Sequence, residues 1–219
     1  MKTKIIKAII FGPQGSGKGT QGNLLSERLN IPIIGAGDVF RAEIAKKTKL
    51  GNLVNQYVQQ GLLAPDEVVN AIIARQLKKI KLDKGFIFDG YPRNVDQAIY
   101  LDKLITINLA IQLKINDEEV IERLQYRSQC SKCKTIYHDK EAPPVKPGQC
   151  SVCGGKLTKR ADDRPEIIAQ RLKAYHFMTE PLAAYYRQKG VLLVINANQS
   201  IPYVFEDVIK KMSKLGFIV

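Results

Sequence analysis

The chain has 219 residues, of which 45% are hydrophobic, so it is long and apolar enough to form a globular protein with a sizeable core. It has no run near the ~18 apolar residues of a membrane-spanning helix, and Lys7 interrupts the first apolar stretch, which argues against a secretory signal. The formal net charge of +13 fits anionic partners, either nucleotides or nucleic acid. We therefore expect a cytoplasmic protein with no membrane partner.

An apolar strand over 4–11 is the first predicted element, and a glycine-rich turn and a helix over 18–29 follow it. The turn, Gly-Pro-Gln-Gly-Ser-Gly-Lys-Gly-Thr over 12–20, has the G-x-x-x-x-G-K spacing of a phosphate-binding loop. Its backbone N–H groups and the positive end of the helix dipole would surround a phosphate, and Lys18 would add a point charge. Gly19 stands where Ser or Thr is usual, and the hydroxyl follows at Thr20.

Short apolar strands alternate with helical segments along the rest of the chain. The remaining predicted strands cover 31–34, 86–88, 107–115 and 191–195. One predicted helix begins in a capping box at Asn116 and reaches about 128, and another begins at a cap near Asp163 and kinks at Pro181. This alternation predicts an α/β fold with a parallel sheet covered on both faces.

The carboxyl ends of parallel strands meet at one edge of a sheet, where α/β proteins bind their ligands. Gly12, Gly35 and Asp89 each follow a predicted strand, so we expect them to converge on one cleft. Residues 35–64 interrupt the alternation with helical patterns alone. We interpret them as a small helical insertion between two core elements.

The four cysteines form two Cys-x-x-Cys pairs, and sixteen residues separate the pairs: Cys130, Cys133, Cys150 and Cys153. In a reducing compartment this spacing favours a metal over disulfides. Four thiolates fill a tetrahedral site and leave no open position, so we expect a structural metal. Zinc suits the sulfurs best, and iron is the alternative.

Arginines, rather than acid–base pairs, dominate the candidate chemistry. A guanidinium grips phosphate oxygens with two parallel hydrogen bonds, which lysine cannot do. Arg123 and Arg127 are four residues apart and share one face of a predicted helix. The chain has two histidines and no plausible Ser/His/Asp set, which fits phosphoryl transfer by alignment and charge neutralisation.

The motifs resemble those of the adenylate kinase family, in its long-lid form with four cysteines. They cover essentially the whole chain in order: 12–21, Gly37-Asp38-x-x-Arg41, Asp89-Gly90-Tyr91-Pro92-Arg93 with Gln97, Arg160-x-Asp162-Asp163, and 175–182. Gly-Lys-Gly-Thr is the loop of nucleoside monophosphate kinases, which accounts for Gly19. The resemblance implies a three-layer P-loop fold with a five-stranded parallel sheet, and a monomer that transfers a phosphoryl group reversibly from Mg-ATP to AMP, giving two ADP.

The resemblance also divides the chain into three parts. The core would comprise 1–34, 65–125 and 164–219 and would carry the phosphate-binding loop. The insertion over 35–64 would bind the nucleoside monophosphate, and the segment over 126–163 would form a lid that carries a structural zinc ion. Both would move over the nucleotides and exclude water, which would otherwise hydrolyse ATP.

Roles for single residues follow from the same resemblance. The implied catalytic residues are Lys18, Asp89, Arg93, Arg127, Arg160 and Arg171, with Asp89 holding Mg²⁺ through water. The implied ATP side comprises Gly15, Ser16, Gly17, Lys18, Gly19, Thr20, Arg123, Arg127, Ile136, Tyr137, His138 and Gln199. The implied AMP side comprises Ala36, Arg41, Leu62, Leu63, Ala64, Gly90, Tyr91, Pro92, Arg93, Gln97, Arg160 and Arg171. Gln97 would read the adenine of AMP, and Asp162 and Asp163 would pair with arginines at the lid hinge, with Asp163 also a candidate helix N-cap.

One departure from the family pattern, at Ala36, bears on substrate. Ala36 stands where the family usually has Thr and is more like the uridylate and cytidylate kinases, whereas Gln97 favours adenine. Gln14 is larger than the small residue expected in the loop, and we expect its side chain to point outward with little effect.

A pyrimidine monophosphate kinase is therefore the alternative within the same class. A nucleic-acid-binding zinc-ribbon ATPase is an alternative from another class. Only Tyr137 lies near the cysteine pairs to stack on a base, and the cysteine segment is inserted between core helices rather than appended. We therefore expect ATP, AMP and ADP as ligands and no nucleic-acid partner.

Overall fold

A five-stranded parallel sheet forms the centre of the fold. The computed structural model describes residues 5–60, 62, 64–79, 82–160 and 163–217. Across the sheet the strands lie in the order β2 (Ile33–Gly35), β3 (Phe86–Asp89), β1 (Lys7–Phe11), β4 (Leu109–Lys114) and β8 (Leu192–Asn196). Every neighbouring pair is parallel, which confirms the predicted α/β architecture.

Helices connect the strands and cover both faces of the sheet. They are α1 (Lys18–Leu29), α2 (Ala36–Ala45), α3 (Lys49–Gln59), α4 (Asp66–Leu77), α5 (Val95–Leu104), α6 (Asp117–Gln125), α7 (Pro165–Ala174), α8 (Leu182–Gln188) and α9 (Ile201–Lys214). A 3-10 turn at Leu82–Lys84 precedes β3, and a π-helical turn at Tyr175–Thr179 joins α7 to α8. None of the helices in the described ranges is both long enough and apolar enough to cross a membrane.

A second, antiparallel sheet lies between α6 and α7. Its strands lie in the order β6 (Ile136–His138), β5 (Arg127–Cys130) and β7 (Leu157–Thr158), so they are short and fall within the cysteine segment. Arg127 pairs with His138 across β5 and β6. Because Arg127 already belongs to this sheet, α6 ends at Gln125, earlier than the predicted end near 128.

The core lies on both faces of the parallel sheet. In β1, Ile9 packs into the cluster on one face with Phe88 of β3, while Ile10 packs into the other with Ile111 of β4. Ile9 and Ile10 are both fully buried, as expected of a central parallel strand. Each such isoleucine contributes roughly 1.5–3 kcal/mol relative to an exposed side chain.

Two predicted helix starts have different outcomes. Asn116 caps α6 as predicted, because its Oδ1 accepts from the backbone N–H of Glu119 at 3.0 Å. The predicted cap at Asp163 is wrong, because Arg164 occupies the N-cap position of α7. The Asp163 carboxylate binds Arg127, which agrees with its predicted pairing with an arginine. The interruption predicted at Pro181 lies slightly earlier, in the π-helical turn that precedes α8.

Candidate active site

The carboxyl ends of β1, β2 and β3 meet as predicted. Asp89, the last residue of β3, pairs with Ile10 of β1 and with Gly35 of β2. Beside this edge lies a cleft of about 200 Å³. Its lining includes the following predicted residues: Lys18, Arg41, Leu62, Gly90, Pro92, Arg93, Arg160 and Arg171. One cleft therefore brings together the phosphate-binding loop and four of the six predicted arginines.

The glycine-rich loop adopts a conformation that requires its glycines. Gly15 and Gly17 have φ values of 76° and 88°, in the left-handed region that side chains disfavour. At Gly12, a Cβ would lie 2.6 Å from the carbonyl oxygen of Leu113, so β4 leaves no space for a side chain. Gly17 is the N-cap of α1 and no side chain caps that helix. The first N–H groups of α1 therefore suit an anion.

Lys18 lies at the centre of the positive charge. Its Nζ donates to the carbonyl oxygens of Gly12 at 2.9 Å and Pro13 at 2.6 Å, so the loop backbone fixes the ammonium group. Burial lowers the pKa of Lys18 to about 8; Asp89 opposes this shift, and neighbouring arginines add to it. Binding of an anionic phosphate beside Lys18 would relieve this crowding of cations.

Arg93 is fixed from several sides. Its Nε donates to the Gly90 carbonyl oxygen at 2.9 Å, and its own carbonyl oxygen accepts from the Thr179 hydroxyl at 2.7 Å. Burial, together with the nearby Arg171, lowers the pKa of Arg93 to about 10. Burial raises the pKa of Asp89, while Lys18 and Arg93 oppose that rise. Lys18, Asp89 and Arg93 are thus partly buried side chains of one site, in which cations outnumber the carboxylate.

Nucleotide affinity is expected to fall as the pH rises through about 8. We expect the charged form of Lys18 to be the one that binds phosphate, and with a pKa of about 8 most of the side chain is neutral at pH 9. We expect kcat/KM for ATP to drop roughly tenfold between pH 8 and 9.5, a range in which the phosphates are already ionised. Steady-state rates across pH 7–9.5 test this, with Lys18→Arg as the control, because a guanidinium at position 18 keeps its charge to higher pH and should leave a smaller decline. A flat wild-type profile would contradict the assignment.

The predicted ATP side is only partly assembled around the cleft. Arg123 donates to the Gln199 carbonyl oxygen at 3.2 Å and to Glu119 at 2.8 Å, which brings Arg123 and Gln199 together. Arg127 donates through Nε to Asp163 at 2.9 Å and through Nη2 to the other oxygen of the same carboxylate. The Arg127–Asp163 pair is mostly buried. Arg127 is not among the residues that line the cleft, whereas Arg160 is.

The three predicted ATP-side residues of β6 lie on alternate faces of that strand. Ile136 is exposed, and the His138 ring lies 5.8 Å from that of Tyr126, with Nδ1 accepting from the Glu141 N–H at 3.0 Å. Tyr137 is buried on the opposite face, where its hydroxyl lies 3.3 Å from Cys150 Sγ. The side chain of Tyr137 therefore belongs to the cysteine cluster, not to the surface it was predicted to line.

The predicted AMP side separates into an open part and a covered part. Ala36, Ala64, Tyr91 and Gln97 are buried and are not among the residues that line the cleft. Leu63 and Asp162, also predicted, lie outside the described residues. Arg41 is exposed at the mouth of the cleft and pairs with Asp38 at 2.5 Å. Of the residues predicted for the AMP side, the arginines thus line the cleft, whereas Ala36, Ala64, Tyr91 and Gln97 are buried.

Sequence reasoning missed Asp66 and misplaced Gln14. Asp66 accepts a hydrogen bond from Gln97 Nε2 at 2.6 Å, but in the sequence it is only an acidic residue in the first turn of a helix. Gln14 does not point outward as predicted: it lines the cleft, and its Nε2 donates to the Ile168 carbonyl oxygen at 3.5 Å. The loop thereby contacts α7, the helix that carries Arg171.

The four cysteines converge as the pair spacing predicted. Cys130 Sγ lies 3.5 Å from Cys153 Sγ, Cys133 Sγ lies 3.5 Å from Cys150 Sγ, and all four sulfurs fall within 4.8 Å of one another. These separations exceed a disulfide bond and match the roughly 3.8 Å between sulfurs that surround zinc at about 2.3 Å. The cluster is positioned to bind a metal.

Comparison with known proteins agrees with this geometry. A family model described as adenylate kinase matches residues 10–191. The adenylate kinase of Thermoanaerobacter sp. (strain X514) is 40% identical over 216 residues, which cover 96% of this chain and 100% of that relative. The adenylate kinase of Archaeoglobus fulgidus is 39% identical over 212 residues, which cover 94% of this chain and 99% of that relative. The adenylate kinase of Pyrococcus horikoshii is 40% identical over 205 residues, which cover 91% of this chain and 92% of that relative. The loop, the arginine cleft and a match along nearly the whole chain lead to one conclusion: this chain belongs to the adenylate kinase family.

Proposed function

We propose that the cleft holds the phosphates of ATP and AMP in line, with the glycine-rich loop on the ATP side and Arg41, Arg93 and Arg171 on the AMP side. As a member of the adenylate kinase family, the chain is an enzyme that transfers a phosphoryl group reversibly from ATP to AMP, giving two ADP. The single observation that carries the proposal is the convergence of Lys18 and the arginines on the uncapped N-terminus of α1.

The reaction needs alignment and charge neutralisation rather than a base. The acceptor is a phosphate oxygen of AMP, which is already anionic. Lys18 would contact the β- and γ-phosphates of ATP, while Arg93 and Arg171 would hold the AMP phosphate. As the γ-phosphoryl group leaves ADP and bonds to AMP, its charge would stay within reach of Lys18 and Arg160.

Asp89 is the residue we assign to Mg²⁺. Asp89 is the last residue of β3, and a Cβ added at Gly19 would lie 3.5 Å from Asp89 Oδ2. The absence of a side chain at Gly19 therefore leaves space in front of the carboxylate. Bound with ATP, Mg²⁺ supplies positive charge to the phosphates. A nearby cation would also keep Asp89 ionised against the effect of burial on its pKa.

We infer that two segments cover the nucleotides, 35–64 over AMP and 126–163 over ATP. The burial of Ala36, Ala64 and Gln97 supports the first, because a base can reach them only if the helices over 35–59 move. The separate antiparallel sheet of 126–163 supports the second. Movement of that segment would exchange the bond of Arg127 to Asp163 for a bond to phosphate.

Zinc is the metal we assign to the four cysteines, as a structural ion. Four thiolates complete a tetrahedron without an open position, and the short strands of this segment bury few apolar side chains of their own. A monomer is the oligomeric state that we expect from the family resemblance, and gel filtration tests it.

A substrate panel tests the proposed activity. Purified protein with Mg-ATP is assayed for ADP formation with AMP, UMP, CMP and GMP, and a chelator of Mg²⁺ serves as the control. We expect AMP to be phosphorylated fastest and chelation to abolish the rate. A preference for UMP or CMP would support the pyrimidine kinase alternative, which Ala36 favours, and absence of transfer to every acceptor would refute the proposal.

A further inference from the structure

Two neighbours of opposite hydrogen-bonding character hold the side-chain amide of Gln97. Its Oε1 accepts from the backbone N–H of Arg93 at 2.8 Å, and its Nε2 donates to Asp66 Oδ1 at 2.6 Å. A backbone N–H can only donate, and the Asp66 oxygen accepts. The two partners therefore allow one orientation of the amide, which is fixed by chemistry rather than chosen between equivalent alternatives.

Asp66 is itself held in place across the α4–α5 contact. The side-chain Nδ2 of Asn94 donates to both oxygens of Asp66, at 3.0 Å and 2.9 Å. Asn94 also caps α5 through its Oδ1, which accepts from the backbone N–H of Gln97 at 2.8 Å. Gln97 is only 1% exposed, so packing also restricts rotation of its amide. The Asp66 carboxylate is thus a fixed acceptor.

We propose that Asp66 is a positioning residue that sets base selectivity by locking the amide orientation of Gln97. The inference rests on the proposed function, in which Gln97 meets the base of the acceptor nucleotide. The bonds to Asp66 and Arg93 use two of the four hydrogen-bonding valences of the amide. The other two are one N–H and one lone pair of Oε1. Adenine complements this pair, because its N1 accepts and its N6 amine donates.

A base with the reverse arrangement of donor and acceptor binds this amide less favourably. Hypoxanthine, guanine and uracil present a ring N–H beside a carbonyl oxygen, so they need the amide flipped. The flip would place Nε2 against the Arg93 N–H and Oε1 against the Asp66 carboxylate, which breaks both bonds and opposes like groups. Cytosine presents the same pattern as adenine, so the lock acts on pattern rather than on ring size.

The test compares two acceptors of the same shape, AMP and inosine monophosphate (IMP), with Mg-ATP as donor. We expect Asp66→Ala to lower the AMP/IMP ratio of kcat/KM about tenfold, as befits the loss of one charge-assisted hydrogen bond. Asp66→Asn replaces one oxygen with an amine and can present either group to Gln97, so it no longer fixes the amide and should also lower the ratio. The matched control is Glu67→Ala, which removes the neighbouring, exposed carboxylate from the same first turn of α4 and should leave the ratio unchanged.

The outcomes distinguish failure of the proposed role of Asp66 from failure of the proposed role of Gln97. An unchanged AMP/IMP ratio in Asp66→Ala, or an equal change in Glu67→Ala, would overturn the lock. A rise in the CMP rate that matches the rise for IMP would overturn it too, since it would indicate a merely loosened site. If Gln97→Leu leaves the wild-type ratio, Gln97 does not read the base, and the proposed role of Gln97 fails instead. Asp66→Ser replaces Asp66→Ala if the alanine variant melts at a lower temperature.

Discussion

Replacing Lys18 with methionine is expected to lower kcat/KM for phosphoryl transfer by about 10³-fold, within the range seen when one preorganised donor to a developing charge is lost. Methionine keeps the length of the side chain but removes the ammonium that Gly12 and Pro13 hold in the loop. Lys18 is also the cation nearest the start of α1, where the ATP phosphates would lie. The measurement is the steady-state rate of ADP formation from ATP and AMP.

The control for this variant is Lys78→Met, which removes an exposed lysine at the end of α4. It leaves the cleft intact, so its rate should match wild type. Thermal melting of both variants establishes that they are folded. If the Lys18 variant were folded and retained more than a tenth of the wild-type rate, Lys18 would not be part of the phosphoryl-transfer machinery.

Replacing Cys150 with serine is expected to abolish stoichiometric metal binding and to destabilise segment 126–163 by several kcal/mol, because metal affinity and local folding are coupled. Cys150 is buried, and its sulfur lies within 3.5 Å of both Cys133 Sγ and the Tyr137 hydroxyl. The strands of this segment have only two to four residues each, so few other contacts would maintain it. Metal content, melting curves and hydrogen exchange across 126–160 measure the effect.

The matched control is Ser131→Ala, which changes an exposed position within the first Cys-x-x-Cys pair without removing a sulfur. It should bind metal and melt like wild type. Turnover of the Cys150 variant should fall only because segment 126–163 closes less well, since the metal takes no part in the reaction. If turnover collapsed while metal-dependent melting stayed unchanged, the metal would be catalytic and the structural assignment would be wrong.

The framework of the fold could be predicted because residue patterns local to each strand, loop and helix agree with the parallel sheet that forms. The strand–loop–helix pattern around Lys18 requires residues that are neighbours in the chain, and the left-handed conformations of Gly15 and Gly17 follow from it. Asn116 is a similar case, since the cap and the N–H it accepts from are three residues apart. At these two places the partners are close in sequence, and residue type and spacing were enough to predict them.

Partners that are distant in sequence could not be predicted in the same way. Asp66 and Gln97 are 31 residues apart, and nothing in the local pattern of α4 distinguishes Asp66 from the adjacent Glu67. The choice of Asp163 between capping α7 and binding Arg127, 36 residues away, depends on where β5 lies. Here Arg127 offers the Asp163 carboxylate two hydrogen bonds, and α7 has no side-chain cap.

The orientation of single side chains was the least predictable feature of the site. Tyr137 was expected on the ATP side, but alternation along β6 places Ile136 and His138 on one face and Tyr137 on the other. The strand was not predicted, since it has three residues and depends on pairing with β5. Gln14 was expected to face solvent, and only the position of α7 shows that it lies in the cleft.

The central claim is that one cleft holds both nucleotides. Its most direct test is the binding of a bisubstrate analogue, two adenosines joined by five phosphates. Calorimetry and inhibition kinetics would measure its stoichiometry and its competition with each substrate. We expect one molecule bound per chain, competition with both ATP and AMP, and roughly 10³-fold weaker binding to the Lys18→Met variant. Two molecules per chain, or competition with only one of the substrates, would contradict it.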